Sequence, residues 1–254
     1  MGQKAKNPVK TIETTFNILQ ILQQSDGGGI TELATSLGLP KSTVHNYLST
    51  LEQEEYVVKK GTKYKVGIRF LELGAYARGC MQIYDTAKPE VARLAQRTGE
   101  LGNLLIEEHG RGVYIHQVEG DQAVRVDSHV GTRVYLHSTA LGKAILAHLP
   151  THRVDEIVDF HGLPQNTEKT VTTREELERE LETVRAKGYA VDDEERLQGL
   201  RCIAAPIQSN DGGVLGAVSV SGPVNRLQGE HFETQLPNQI LETVNVIEIN
   251  VTYS

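Results

Sequence analysis

Between Thr11 and Gln24 apolar residues recur every three or four positions, at Ile12, Phe16, Leu19 and Leu22, which predicts an amphipathic helix. The run SDGGG ends it, since glycine has low helix propensity. A second short helix is predicted over ITELATSLG, with Ile30, Leu33, Ala34 and Leu37 on one face and Gly38 as the turn. A third begins in PKSTVHNYLSTLEQEEY, where Pro40 suits the first helical position because its missing N–H has no helical partner there. Two short helices joined by a Gly turn form a helix-turn-helix candidate.

In that third helix Val44, Leu48 and Leu51 fall on one face and Ser42, His45, Asn46 and Ser49 on another, with Lys41 and Thr43 in the first turn. Short polar side chains of this kind can approach base edges in a major groove, and Asn46 can pair bidentately with adenine. The following YVVKKGTKYKVGIRF reads as a two-stranded ribbon turning near Gly61, its Lys59, Lys60, Lys63 and Lys65 placed to meet phosphates. The order helix, helix, recognition helix, wing is that of a winged helix-turn-helix. The alternative is a solvated module with a lysine-dotted hairpin.

Residues 68–83 continue as a linker helix with a weak point near Gly79. Leu71, Leu73 and Tyr76 are its expected anchors, as are Val91 and Leu94 beyond, and Cys80 and Met81 are expected to pack. From Gly102 the period becomes two, or short apolar runs, punctuated by Gly and Asp: NLLIEEHGRGVYIHQVEG, QAVRVDSHVGTRVYLH, GYAVDDEE, RCIAAPI and VLGAVSVSG read as strands. TALGKAILAHL, TREELERELETVRAKG and HFETQLPNQILETVNVIEI read as helices among them. The expectation is a two-domain α/β chain. Residues 1–67 form the winged helix-turn-helix, 68–83 the linker helix, and 84–254 an α+β domain with a mixed sheet and flanking helices. The acidic TREELERELETVRAKG helix is read as solvated, with an acidic interaction surface as the alternative.

Charge sharpens this division. The 254 residues carry net charge −7, yet residues 1–66 hold 8 Lys+Arg against 6 Asp+Glu, or +2, and the remainder 18 against 27, or −9. Only the first third can offer phosphates a basic face. The start, MGQKAKNPVK, lacks the apolar core of a secretory leader and no run reaches membrane-spanning length, so a cytoplasmic protein without a membrane partner is expected. Cys80 and Cys202 are too few for a disulfide framework and neither lies in a C-x-x-C pair.

Candidate chemistry centres on the second domain. Ser219 and Ser221, two apart on a strand, share a face, and Cys202 on a neighbouring strand can share it. The helix opening at HSTALGK leaves free N–H groups around Ser138 to Leu141 that can hold an anion, with Gly142 leaving room for close approach. Asp192 can accept from a ligand hydroxyl or cap the start of its strand; an exposed turn at Asp192 and Asp193 is the plainer reading. The competing class is an enzyme using Cys202 as a nucleophile with one of nine histidines. No local signature supports it, and the histidines lack metal-ligand spacing: His148 and His152 are four apart, but Pro150 breaks the helix between them. No metal or cofactor is expected. A third class is a ligand-independent architectural DNA binder, against which the −9 of the larger domain argues.

The chain resembles the IclR family of bacterial and archaeal transcriptional regulators. The resemblance rests on GITELATSLGLPKSTVHNYLSTLEQEEYV, HSTALGKAILA, GYAVDDEERLQGLRCIAAPI and GAVSVSGP, spanning nearly all residues, with Asp192 to Pro206 the most specific stretch. It implies a GAF-like effector domain, a double-stranded DNA operator as partner, a small organic-acid-like effector, and homodimers that often pair into tetramers. Position by position it implies effector contacts at Asp192, Cys202, Ser219 and Ser221, with Thr139, Ala140 and Leu141 at the helix start, so that Cys202 lines a pocket. One departure is Asn46 where many relatives carry Arg, which implies a different operator and a phosphate grip leaning on the wing lysines.

Overall fold

The computed structural model describes residues 5–253. Met1 to Lys4, the beginning of the stretch read as lacking a leader, and Ser254 lie outside the described residues. The chain divides into two compact units between Cys80 and Met81.

The first unit holds α1 (Lys10–Gln24), α2 (Ile30–Leu37), α3 (Lys41–Gln53), the ribbon β1 (Val57–Lys60) and β2 (Lys63–Val66), and α4 (Phe70–Gly79). Its core joins Ile18, Leu22, Leu33, Val44, Leu48, Val57 and Tyr64. Only the last turns of α1 reach it: Ile12 and Phe16, expected on the buried face, are 54% and 56% exposed, and Ile18 takes their place beside Leu22. Gly38 closes α2 in the left-handed conformation at φ +65°. Pro40 stands one position earlier than expected, ahead of α3, and its carbonyl accepts from the N–H groups of Thr43 and Val44.

The glycine run after α1 does more than stop a helix. Gly28 pairs with Tyr64 in both directions, N–H to carbonyl at 3.0 and 2.9 Å, a single bridge that ties the loop after α1 to the wing. A Cβ on Gly27, which sits at φ +108°, would lie 2.9 Å from the Tyr64 carbonyl oxygen, so only glycine fits there without strain.

The stretch read as one linker helix is two, α4 and α5 (Gln82–Thr98), broken at Cys80 and Met81. Leu71, Leu73 and Tyr76 are not anchors: they are exposed, and α4 buries no residue. Cys80 is likewise exposed rather than packed, whereas Met81 is partly buried against the second unit's core and Val91 and Leu94 are fully buried.

In the second unit β3 (Leu101–Glu108), β4 (Arg111–Glu119), β5 (Arg133–Tyr135), β6 (Ala190–Asp193), β7 (Leu200–Gln208) and β8 (Val214–Pro223) form one sheet in the order β5-β4-β3-β8-β7-β6. Every pairing is antiparallel, so the sheet is not mixed. Helix α5 and α9 (Leu236–Tyr253, entered through a π turn at His231–Gln235) pack on one face through Val91, Leu104, Val218, Val220 and Ile240. On the other lie α6 (Ala140–Leu146), α7 (Thr151–His161) and α8 (Arg174–Lys187). Helix α8 turns Leu177, Leu181 and Val184 inward and is capped by Thr173, whose Oγ1 accepts from the Glu176 N–H. Residues 122–130, read as strand, are irregular: Val124 and Val126 alternate inward, but they pack on the core from a loop.

Candidate functional site

Two sites take shape, one on each unit. On the first, the buried Val44, Leu48 and Leu51 fix the rotation of α3. Lys41, Ser42, His45, Asn46 and Ser49 are therefore exposed on its outer side, and Thr43 is half-buried. His45 Nδ1 lies 3.4 Å from Ser49 Oγ, one turn along the same face. The exposed face so formed is short and polar.

The wing corrects one expectation. Its register sets Lys60 opposite Lys63, Val58 opposite Lys65 and Lys59 opposite Tyr64. Paired residues share a face and neighbours alternate, so Lys60, Lys63 and Lys65 project to one side and Lys59 to the other, with its Nζ 5.5 Å from the Tyr64 ring centre. Lys65 donates to both carboxylate oxygens of Asp26 at 2.9 Å. The four lysines thus do not share one face of the ribbon. Lys60 and Lys63 lie opposite each other at its tip.

On the second unit the register builds a polar row across the sheet: Asp192 pairs with Cys202, Cys202 with Ser221, and Ser221 with Leu101. Ser219 follows two residues along, paired with Asn103 and Ala204. The alternating Val218 and Val220 face the opposite layer. Above the row sits the start of α6, with Thr139, Ala140 and Leu141. The expected residues on both walls line one cavity of about 10 Å³, room for about one water molecule.

Sequence reasoning missed several lining residues. Asn103, a buried amide among the apolar residues that open strand β3, donates through Nδ2 to Ser219 Oγ (3.0 Å) and Ser221 Oγ (3.2 Å). Its Oδ1 accepts from Gln117 Nε2 (2.9 Å), which also donates to Ser128 Oγ (3.0 Å) on the covering 120–132 segment. Both serines thus accept from Asn103, and Ser221 is also hydrogen-bonded to Cys202. Tyr114, Val126 and Arg196 complete the enclosure. A polar residue interrupting the apolar run from Leu101 to Ile106 was the available signal for Asn103.

At α6 the N–H of Gly142 is already taken by Thr139 Oγ1 at 2.9 Å. Gly142 is not there to admit a ligand: a Cβ would lie 2.1 Å from the Leu136 carbonyl oxygen, so glycine allows the helix to meet the strand end. Behind the cavity, Lys143 is fully buried and donates to Glu195 (2.6 Å) and Glu180 (3.2 Å), tying α6 to α8 and to the turn after β6.

Asp192 is 2% exposed, not in an exposed turn, and its Oδ1 accepts from the N–H of Glu195 (2.7 Å). Burial, reinforced by the Glu195 charge, raises its pKa to about 7 against the pull of that hydrogen bond and of Lys143. A carboxyl whose folded pKa lies above its unfolded value holds a proton that the unfolded chain has released. It therefore favours folding below about pH 4, and this contribution is lost as pH rises through about 7. Asp192→Asn keeps the Oδ1 acceptor and removes the ionisation. The variant should melt above the parent at pH 8, by up to roughly 4 kcal/mol, with the gap closing by pH 4; parallel melting curves across that range would refute the assignment.

Cys202 is buried too, and burial together with the Asp192 charge pushes its thiol up, the reverse of an activated nucleophile. Its side-chain hydrogen bond is to Ser221. Among the described residues no group of three or more His, Cys, Asp or Glu is placed to hold a metal ion.

Comparison with known proteins follows the same division. Residues 11–61 match the IclR helix-turn-helix domain, and residues 76–249 match the family described as bacterial transcriptional regulator IclR C-terminal. A probable HTH-type transcriptional regulator ArcR of Halobacterium salinarum is 32% identical, covering 96% of this chain and 94% of its own. The crystal structure of Thermotoga maritima IclR superposes with TM-score 0.80 at 31% identity, over 96% of this chain and 99% of that one. An IclR homologue from Microbacterium hydrocarbonoxydans, complexed with 4-hydroxybenzoate, shares the fold at TM-score 0.82 and 23% identity, over 96% and 100%.

Proposed function

Because the chain belongs to the IclR family of DNA-binding transcriptional regulators, we propose that its DNA affinity is set by a small effector, an organic acid or related metabolite, held in the cavity of the second unit. The observation that carries this reading is the convergence of Asp192, Cys202, Ser219, Ser221 and the α6 start, from separate parts of the chain, on one enclosed polar cavity.

On the DNA side, Ser42, His45, Asn46 and Ser49 read bases, while Lys41 and the wing tip meet phosphates. The reading includes a homodimer acting in the cytoplasm, with tetramers as pairs of dimers. The exposed Leu71 and Tyr76 of α4, 71% and 74% accessible, offer apolar area for a second copy. A dimer matches paired half-sites on DNA.

The test is a thermal-shift screen of the full chain against small carboxylates, hydroxy and keto acids, sugar acids and aromatic acids, 4-hydroxybenzoate included. A ligand at about 100 times its Kd adds about 2.7 kcal/mol. The shift should vanish in Ser219→Val/Ser221→Val; a shift that survives that change places the ligand elsewhere. Conversion of the ligand during long incubation would favour the enzyme reading instead.

A further inference from the structure

Arg196 stands at the cavity with its side chain only 12% exposed, and its sole ion-pair partner among the described residues is Asp127, at 2.7 Å and 67% exposed. One Nη2 contact uses a small part of a guanidinium's five N–H donors. The nearby carboxylates are engaged elsewhere: Asp192 holds the Glu195 N–H, and Glu195 is bound to Lys143. Tyr114, 6% exposed, lines the same cavity, and its hydroxyl has no hydrogen-bond partner among the described residues. The positive charge of Arg196 acts on it directly. Two enclosed donors with unfilled capacity therefore face one space. The complement of that pair is an anion, and a planar fork suits a carboxylate best.

The cavity as it stands holds about 10 Å³, less than any carboxylic acid needs, so a wall must move for one to enter. The middle of the 120–132 segment is the loosely held wall. Its ends are tied down, with the Gln122 N–H donating to the Gly99 carbonyl, Arg226 donating to the Gln122 carbonyl and the Gly131 N–H donating to the Tyr114 carbonyl. Among the described residues no backbone hydrogen bond involves Val124 to Ser128; that stretch is held by Val124 and Val126 packing, the Gln117–Ser128 bond and the Arg196–Asp127 pair.

We propose that Arg196 and Tyr114 are the anion-recognising pair of this cavity, and that the carboxylate of a small organic acid takes Arg196 in place of Asp127, unlatching the stretch from Val124 to Ser128. The ligand and the latch compete for one guanidinium, so the same residue selects the ligand and governs access. This inference rests on the reading of the cavity as the effector site.

The experiment is calorimetric titration of the full chain with acetate, pyruvate, benzoate and 4-hydroxybenzoate, each beside its neutral amide. Asp127→Asn, which removes only the internal competitor, should bind at least one carboxylate about 3- to 10-fold tighter than the parent. Arg196→Met should weaken that carboxylate at least tenfold, as should Arg196→Lys in part, and Tyr114→Phe should weaken it about threefold. Should Arg196→Met fail to fold, the Asp127→Asn and Tyr114→Phe comparison decides alone. Trypsin should cut after the exposed Arg125 several-fold faster in Asp127→Asn than in the parent. Equal affinities in parent and Asp127→Asn, equal binding of acid and amide, unchanged binding in Arg196→Met, or no carboxylate bound by Asp127→Asn would each overturn the proposal. Carboxylate binding through Arg196 with no change in DNA affinity would leave it standing and defeat the regulatory reading. A ligand that alters DNA affinity equally in Arg196→Met would do the reverse.

Discussion

Lys143→Met is expected to destabilise the second unit by about 3–5 kcal/mol at pH 8, because it leaves Glu195 buried without its cation. The lysine is fully enclosed, and Glu195 has a side chain 10% exposed with one oxygen, Oε2, that has no hydrogen-bond partner among the described residues. Burial already holds the Glu195 carboxyl above its ordinary range despite the lysine. Without Lys143 that carboxyl will take up a proton more readily. The loss should therefore shrink as pH falls from 8 to 5, since the protonated group no longer needs a counter-ion. A pH series of melting curves checks this, at about 2–4 °C per kcal/mol. A loss under 1 kcal/mol, or one that grows on acidification, would show that the pair does not hold α6, α8 and the β6 turn together.

His45→Ala/Asn46→Ala is expected to abolish sequence-specific DNA binding, while the fold survives because both side chains are exposed. Each good bidentate base contact contributes about 1–3 kcal/mol of discrimination, so losing the centre of the reading face brings affinity down toward the non-specific level. Lys60→Ala/Lys63→Ala should act differently, weakening all sequences alike and reducing the salt slope by about 1.8 for two phosphate contacts. Gel-shift titrations on an operator selected from random duplexes, at several salt concentrations, separate the two. Operator affinity unchanged in His45→Ala/Asn46→Ala would remove α3 from the reading role.

These residues also show what a sequence discloses. The outer face of α3 was legible because a helical period with three strong apolar anchors, Val44, Leu48 and Leu51, fixes which residues point out. Ser219 and Ser221 were legible because a strand's period is two, and the row from Asp192 through Cys202 to Ser221 completes what that period begins. The terms set by distant contacts were not legible. Nothing local shows that Lys65 meets Asp26 39 residues earlier, or that Lys143 meets Glu195 52 residues later. Ile12 and Phe16 fit the helical period but lie on turns of α1 that the small three-helix core does not reach. Residues 122–130 alternate like a strand, yet they serve as the outer wall of a cavity. Helix α7 is hidden in the sequence because Pro150 reads as a break, yet it also precedes a helix start. Arg196 and Tyr114 gave no pattern at all; only the enclosure they share reveals them.

The central claim is that cavity and recognition helix are coupled, and reciprocal titration tests it most directly. The Kd of a ligand found in the screen is measured with and without operator duplex, and the Kd of the operator with and without that ligand. Coupling requires both to change by the same factor, typically about 5- to 150-fold, in the same direction. Ligand affinity that is identical with and without the operator would contradict the account, leaving a DNA-binding unit and a ligand-binding unit that share a chain but not a function.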